Sequence, residues 1–296
     1  MNKSKLIYIA AMLIFGSIGV FTRKIELSSG QIALVRGMIG SLFLLLACPV
    51  MKQKLSFRMI RRNLFLLILS GAAIGFNWIF LFQAYKFTTI SNATLSYYFA
   101  PVFVMFLSPF VLKERLSVIK ISCILGAVFG MFLIIGMDSD TGKNNLIGIG
   151  YGLLAAVLYA FVVIMNKFLK GLSGLETTLI QLSSASIIQL PYILATEKIS
   201  INQLDNRSVL FLIILGILHT GFAYLLYFTA VRKLSGHTIA VFSYTDPISA
   251  IVLSSVLFQE SMTPVQIAGG IMILGATLLC ELSDRKNAVK TSASNE

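Results

Sequence analysis

The sequence predicts an all-α membrane protein, with ten transmembrane helices arranged as two inverted five-helix repeats around a central cavity. Three observations predict this fold: an extremely apolar composition, ten apolar segments of spanning length, and an internal repeat. Of the 296 residues, 57% are hydrophobic and 12% are charged, and the mean hydropathy is +0.87. A soluble domain of this length has too little interior to bury so much apolar surface.

Ten segments are apolar and long enough to cross a bilayer, which takes about 20 helical residues. They fall at roughly 5–22, 31–51, 63–85, 90–112, 118–137, 146–166, 176–195, 208–230, 236–258 and 264–282. The chain therefore divides into a first repeat (5–137), an inter-repeat loop (138–145), a second repeat (146–282) and a polar cytoplasmic tail (283–296).

The internal repeat is clearest between residues 64–117 and 210–263. The two stretches align without gaps at a shift of 146 residues, and 14 of 54 positions are identical. Each copy carries a proline in the middle of a hydrophobic run, Pro101 and Pro247, and each ends on a Glu-x-x-Ser/Thr motif. Repeated membrane helices that are broken near the middle are typical of secondary transporters.

The distribution of Lys and Arg predicts the orientation. If the N-terminus is cytoplasmic, 17 basic residues lie on the cytoplasmic side and 6 on the outer side, with Arg36 inside a span. This asymmetry favours both termini in the cytoplasm. Because each half has an odd number of spans, the second half is expected to insert upside down relative to the first. The same dispersal of basic residues into short gaps argues against a nucleic-acid-binding surface.

Asp246 is the sharpest candidate for a functional residue. It lies near the middle of the ninth span, directly before Pro247, and its counterpart in the first half is Ala100. A charge at that depth costs about 2.5–3.5 kcal/mol on insertion scales, so it is expected to face a cavity or a partner. It is either a counter-ion for a cationic group or a proton carrier. The alternative is a packing role, with the carboxyl group satisfied by Tyr244 or Ser243.

Two other ionisable residues lie inside spans. His219, in the eighth span, replaces Ala73 of the first half and is a candidate for a proton relay with Asp246, or else a neutral hydrogen-bonded core residue. Arg36, in the second span, is a candidate ligand for a substrate carboxylate. The alternatives are that it snorkels to the surface or that it pairs with Glu26 or Glu260.

Aromatic and amide side chains cluster at the expected depth of the cavity. The candidates for substrate binding are Asn77, Trp78, Tyr97, Tyr98, Tyr224 and Tyr244. Rings beside an aspartate are a plausible cage for an amine, whereas interfacial anchoring or core packing is the alternative. Pro101 and Pro247 are expected to break their helices and to act in gating. Glu114 and Glu260 are expected to hold the turns that precede the fifth and tenth spans.

The sequence resembles the EamA family of the drug/metabolite transporter superfamily over nearly its whole length. The residues that carry the resemblance are Phe15-Gly16, Arg36-Gly37, the segment Ala84–Thr89, Pro101-Val-Phe, Leu112-Lys-Glu-Arg-Leu, Pro247 and Glu260. The first-span pair is often Trp-Gly in such proteins. The resemblance implies a ten-helix basket around a central cavity, whose halves rock against each other, and a cargo such as amino acids, nucleosides, amines or drugs, moved mostly outwards.

These observations predict a secondary transporter that moves a small organic metabolite across the cytoplasmic membrane, in the export direction, driven by a proton or solute gradient. The alternatives are uptake of a cationic metabolite and lipid flipping. No enzyme motif, P-loop or metal-binding pattern is present in the sequence, and the three cysteines lie inside apolar runs. We therefore expect no cofactor, no metal and no catalytic residue. The expected partners are a small solute, a coupling proton and the lipid bilayer, in a monomer or homodimer.

Overall fold

The computed structural model describes residues 3–51, 55–113, 117–135, 142–197 and 205–293. These residues form helices and no strands, and ten of the helices are long and apolar enough to cross a membrane. The ten spans are Lys3–Thr22, Ser29–Val50, Leu64–Phe87, Ile90–Val111, Val118–Ile135, Asn144–Phe168, Gly174–Thr196, Asn206–Val231, Gly236–Phe258 and Pro264–Ser283. The predicted all-α membrane fold with ten transmembrane helices is therefore confirmed.

The fourth and ninth spans are each interrupted near the middle. The fourth consists of helices Ile90–Tyr97 and Ala100–Val111, and the ninth consists of helices Gly236–Ser243 and Thr245–Phe258. Each interruption lies just before a proline, as expected, because a proline nitrogen has no hydrogen to donate to the carbonyl group four residues earlier. For Pro101 and Pro247 those carbonyl groups belong to Tyr97 and Ser243.

Two further spans have irregular backbone that no proline marks. The first span divides at Ser17 into helices Lys3–Gly16 and Ile18–Thr22, and the eighth contains a π-helical segment, Leu215–Phe222, between two α-helices. The wider turn of a π-helix is often found at functional sites. These two irregular segments meet, because Ser17 contacts His219 of the π-helical segment.

Equivalent helices of the two halves pack against each other in antiparallel fashion. Between the fourth and ninth spans, Ser91 contacts Ser254 at 2.8 Å between hydroxyl oxygens, and Tyr98 contacts Asp246 at 2.7 Å. Residue numbers thus rise along one span as they fall along the other. An inverted repeat requires this relation, because a second half inserted in the same direction would present its equivalent helix in parallel.

The fifth and tenth spans show the same antiparallel relation at a point of very close approach. A Cβ atom added at Gly130 would lie 2.7 Å from the carbonyl oxygen of Gly269, whereas one added at Gly126 would have Ala276 as its nearest neighbour, at 3.8 Å. Only a glycine fits at position 130, because a methyl group there would collide with the facing backbone. Small residues at such contacts are a common device for packing membrane helices.

Two predicted boundaries differ from the structure. The sixth-span helix, Gly142–Phe168, begins inside the predicted inter-repeat loop, of which residues 138–141 lie outside the described part of the chain. The last helix, Pro264–Ala293, continues into the predicted tail.

Candidate functional site

The site is built around a hydrogen bond between the two halves. The hydroxyl group of Tyr98, at the break of the fourth span, donates to Oδ2 of Asp246 at 2.7 Å. Asp246 lies in the first turn of helix Thr245–Phe258, directly after the break of the ninth span. The N-terminal end of a helix favours a negative charge. The two breaks therefore place a carboxyl group, a phenol and free helix ends at one point.

The structure does not give Asp246 the partners that the packing alternative required. The hydroxyl group of Tyr244 donates instead to Oγ1 of Thr277 at 2.9 Å, and that of Ser243 donates to the carbonyl oxygen of Ala240 at 2.7 Å. Tyr244 still lies next to the site, because its ring centroid is 6.5 Å from that of Tyr98. Its hydrogen bond joins the ninth span to the tenth.

The first span reaches the same point through its Phe15-Gly16 pair. A Cβ atom at Gly16 would lie 2.5 Å from the backbone oxygen of Asp246, so the absence of a side chain lets the two spans meet. The ring of Phe15 lies 5.3 Å from that of Tyr224, in an edge-on arrangement. The pair thus places an aromatic side chain beside the site and the first span against the helix that carries the aspartate.

Tyrosine rings surround the polar interior on the remaining sides. Tyr97 lies 6.1 Å from Tyr98 and 5.5 Å from Tyr159, measured between ring centroids. Tyr97, Tyr98, Tyr224 and Asp246 are all partly accessible, although they lie at mid-span and face other helices. Accessible surface at such positions indicates an interior space lined by phenol groups and one carboxyl group. Sequence reasoning had placed Tyr97, Tyr98 and Tyr224 here but had missed Tyr159.

Arg36 is a buried cation on another side of this interior. Its side chain is 3% exposed, so it does not snorkel. Its Nε donates to Oγ1 of Thr220 at 2.7 Å, and its guanidinium group lies 4.2 Å from the ring centroid of Trp78. A cation over the face of a tryptophan is stabilised by the ring quadrupole.

His219 is fully buried and does not contact Asp246. Its Nε2 lies 2.9 Å from Oγ of Ser17, its Nδ1 lies 3.3 Å from the carbonyl oxygen of Ile214, and its ring packs 4.7 Å from that of Phe21. Both ring nitrogens thus have neighbours in the first and eighth spans. A proton relay between His219 and Asp246 would need an intervening group.

Asn77 ties two spans together. Its Nδ2 donates to the carbonyl oxygen of Ala155 at 2.6 Å, and its side chain is 1% exposed. This hydrogen bond joins the third span to the sixth. The side chain of Asn77 is also hydrogen-bonded to Tyr97, so it supports the site, and its neighbour Trp78 faces Arg36.

Glu260 connects three chain segments at one end of the bundle. It forms a salt bridge with Arg23, which follows the first span, and its Oε2 accepts a hydrogen bond from the backbone nitrogen of Ile90, at the start of the fourth span. The guanidinium group of Arg23 also lies 5.2 Å from the ring centroid of Phe258. Glu260 is thus engaged by Arg23 rather than by Arg36. Glu114, its counterpart, lies outside the described residues.

Several neighbours of the site could not be identified from the sequence. Tyr159 has Leu13 as its counterpart in the other half, so the repeat does not mark it. Thr220 is separated from Arg36 by 184 positions, and a threonine in an apolar run carries no signal of its own. In the described part of the chain, no group of three or more His, Cys, Asp or Glu residues is placed to hold a metal ion.

A bundle of ten apolar spans, with charged and phenolic side chains meeting at mid-span breaks, is the architecture of a membrane transporter and not of an enzyme. The chain belongs to the EamA-like transporter family, whose model matches residues 3–136 and again residues 146–281. The resemblance inferred from the sequence is therefore confirmed, and the two matches fall on the two halves.

Curated relatives agree with this assignment, and a solved structure has the same fold. The chain is 33% identical over 273 residues to the "Uncharacterized transporter YxxF" of Bacillus subtilis (strain 168), covering 92% of this chain and 87% of the relative. It is 27% identical over 220 residues to the "Probable amino-acid metabolite efflux pump" of Salmonella typhimurium, covering 71% of this chain and 74% of the relative. A protein of known crystal structure has the same fold, with a TM-score of 0.66 at 15% identity, covering 96% of this chain and 99% of that one.

Proposed function

We propose that the protein exports a small organic metabolite, of the amino acid or amine class, across the cytoplasmic membrane by alternating access, driven by a proton or solute gradient. The observation that carries the proposal is the Tyr98–Asp246 hydrogen bond at the facing helix breaks. It places a carboxyl group, which can bind an ammonium group or a proton, at the contact between the two halves.

The charges at the site favour a substrate with both an ammonium group and a carboxylate. Asp246 provides an acidic pole and Arg36 provides a basic pole in the bundle interior. No carboxylate contacts Arg36 among the described residues. A free amino acid would match both poles, with its ammonium group on Asp246 and its carboxylate on Arg36.

Alternating access is supported by the way the fourth and ninth spans meet. On one side of the site, Ser91 and Ser254 pack the two spans together, and Glu260 binds both Arg23 and the start of the fourth span. In the orientation that the basic residues predict, this is the outer side. The conformation described here would then be closed to the outside. Rocking of the inverted halves about the breaks would open this contact.

The direction of transport and the orientation are supported by a relative and by the distribution of basic residues. Export agrees with the efflux function in the name of the Salmonella typhimurium relative. An orientation with both termini in the cytoplasm agrees with the distribution of basic residues, of which 17 would lie on the cytoplasmic side and 6 on the outer side. Uptake of a cationic metabolite would use the same carboxyl group, and lipid flipping would need the site to open sideways to the bilayer.

The proposal is tested by counterflow in proteoliposomes. The purified protein is first screened for thermal stabilisation by a panel of amino acids, amines and lipids, because a bound ligand stabilises the folded form. Radiolabelled uptake of each stabilising compound is then measured with wild-type protein and with Asp246→Asn. We expect wild-type counterflow of an amino acid or amine, and its loss in the variant.

Asp246→Glu is the matched control because it keeps the charge, and it should retain measurable counterflow. An imposed pH gradient should accelerate wild-type transport if the proton is the coupling ion, whereas no response would assign the drive to a solute gradient. Unchanged counterflow in Asp246→Asn would remove the carboxyl group from the mechanism. Stabilisation and movement of lipid alone would favour the flippase alternative.

A further inference from the structure

A second site lies on the surface, at the end of the bundle where the second span connects to the third. The short helix Phe57–Arg62 leads directly into the third span. Phe57, Arg58, Arg61 and Arg62 line an open groove there, with a volume of about 500 Å³. Arg58, Arg61 and Arg62 are spaced three and four residues apart, so the three guanidinium groups share one helix face.

The three arginines have no carboxylate partner among the residues that the structure describes. The salt bridge found there joins Arg23 to Glu260, at another point in the bundle. All three arginine side chains are exposed. Three like charges on one helix face repel one another and favour a negatively charged ligand between them.

The groove is held in place by hydrogen bonds to the neighbouring loop. The backbone nitrogen of Ser56 donates to Oε1 of Glu176 at 2.8 Å, and Nδ2 of Asn63 donates to the carbonyl oxygen of Lys170 at 3.0 Å. These bonds fix both ends of the short helix to the connection between the sixth and seventh spans. The arginines therefore project from a fixed platform rather than from a free loop.

The surroundings of the groove favour a lipid over a dissolved ion. Phe57 is 79% exposed, and Phe65, which follows on the third span, is 76% exposed. Phe65 is the second residue of the third-span helix, which Asn63 separates from the arginine helix, so an exposed apolar side chain follows the basic residues directly in the chain. A phospholipid matches both parts, with its phosphate on the arginines and its acyl chains along the phenylalanines.

We propose that the groove formed by Phe57, Arg58, Arg61 and Arg62 binds the headgroup of an anionic phospholipid. The guanidinium groups would hold the phosphate oxygens through paired hydrogen bonds, which arginine makes better than lysine. The site anchors this end of the bundle at the bilayer surface. It is separate from the transport site and does not depend on the substrate that the protein carries.

The test uses the full-length protein, purified and delipidated in a neutral detergent. Phosphatidylglycerol is titrated in while the thermal unfolding midpoint is followed, with phosphatidylcholine and inorganic phosphate as parallel titrants. We expect phosphatidylglycerol to raise the midpoint and the other two to leave it unchanged. An equal rise with inorganic phosphate would overturn the lipid assignment in favour of a soluble anion, and an equal rise with phosphatidylcholine would overturn the role of the charge.

The matched variants are R58Q/R61Q and R232Q/K233Q. Each removes two basic residues, and the second pair lies in the connection between the eighth and ninth spans, on the same predicted side of the membrane. We expect the apparent dissociation constant for phosphatidylglycerol to rise about fivefold per arginine removed, and thus roughly 25-fold in R58Q/R61Q. R232Q/K233Q should bind as the wild type does.

Two further variants cover the case in which R58Q/R61Q fails to fold. The single substitutions R58Q and R62Q should each weaken lipid binding about fivefold. R58K/R61K keeps the charges but loses the paired hydrogen bonds, so it should bind with an intermediate affinity. Wild-type lipid binding in both single variants, or equal losses in R58Q and R232Q/K233Q, would overturn the proposal.

Discussion

Tyr98 and Asp246 meet at the breaks of equivalent spans from opposite halves, and the hydroxyl group of one donates to the carboxyl group of the other at 2.7 Å. Because the repeat relates Tyr98 to Tyr244, whereas Asp246 replaces an alanine, the contact is made by one symmetric and one asymmetric residue. The asymmetry gives a single carboxyl group to an otherwise duplicated arrangement. A single charged group at the point where the two halves meet is suited to bind one cargo ion or one substrate group.

The first prediction concerns this hydrogen bond. Tyr98→Phe keeps the ring but removes the donor, and a hydrogen bond to a charged group contributes about 1.5–3 kcal/mol. We expect counterflow to fall roughly tenfold or more while the protein remains folded by size-exclusion chromatography. Tyr244→Phe is the matched control, because its hydroxyl group bonds to Thr277 and not to Asp246.

A double-mutant cycle separates coupling from simple damage. If Tyr98 acts through its hydrogen bond to Asp246, the double variant Tyr98→Phe/Asp246→Glu should transport no worse than Asp246→Glu alone, which moves the carboxyl group by one methylene and keeps measurable counterflow. Fully additive losses would mean that the two residues act independently. The measurement is counterflow of one substrate under identical gradients in all four proteins.

The second prediction concerns Arg36 and the carboxylate of the substrate. We expect Arg36→Gln to weaken the binding of an amino acid at least tenfold and that of the corresponding decarboxylated amine much less. Only the amino acid has a carboxylate that the guanidinium group can bind. Arg36→Lys keeps the charge but loses the Nε donor to Thr220. Its affinity for the amino acid should therefore lie between those of the wild type and Arg36→Gln. The measurement is the thermal stabilisation of each variant by each compound.

The comparison between the amino acid and its amine guards against a general loss of structure. Removal of a cation stacked on Trp78 can loosen the packing of the second and third spans, which would weaken the binding of both ligands alike. Equal losses for both compounds would therefore assign Arg36 to packing. A selective loss of the amino acid would assign it to recognition.

The third prediction concerns the contact between the fifth and tenth spans. Gly130→Ala should destabilise the protein by about 1–3 kcal/mol, because its methyl group would collide with the backbone oxygen of Gly269. Gly126→Ala, one turn earlier on the same helix, meets Ala276 only at 3.8 Å and should be neutral or slightly stabilising. Thermal unfolding of both variants checks this, and a lower midpoint in Gly126→Ala than in Gly130→Ala would contradict the antiparallel packing described here.

The sequence predicted the number and position of the spans because a membrane helix is an uninterrupted apolar run, and its ends are marked by polar gaps. It also predicted the breaks at Pro101 and Pro247, since a proline necessarily leaves one backbone carbonyl without a donor. The structure places each break just before its proline, where that carbonyl lies. The break at Ser17 and the π-helical segment around His219 have no such mark, because they arise from contacts between spans.

The site was predicted less completely, for a physical reason. Asp246 was identifiable because a charge in an apolar segment is costly and needs an explanation. Tyr159 was not, because a tyrosine in a membrane segment is common and its orientation depends on how the sixth span packs. The environment of Arg36 was also missed: the sequence suggested Glu26 or Glu260 as partners, whereas Thr220 and Trp78 hold it inside the bundle. Long-range contacts of this kind leave no pattern in the chain.

The central claim is that the fourth and ninth spans separate and rejoin during each transport cycle. The hydroxyl oxygens of Ser91 and Ser254 are 2.8 Å apart, so a cross-link between these two positions would keep the fourth and ninth spans together. In a background where Cys48, Cys123 and Cys280 are replaced by alanine, Ser91→Cys/Ser254→Cys should form a disulfide on oxidation, because the ends of the two side chains are already in contact. Each single cysteine variant is the control.

The most direct measurement is counterflow by the oxidised and the reduced form of this double-cysteine protein. Alternating access predicts that the disulfide abolishes counterflow, that a reductant restores it, and that the oxidised protein is still stabilised by the substrate from the open side. Full counterflow in quantitatively cross-linked protein would contradict the account, because the cargo would then cross without separation of the two spans.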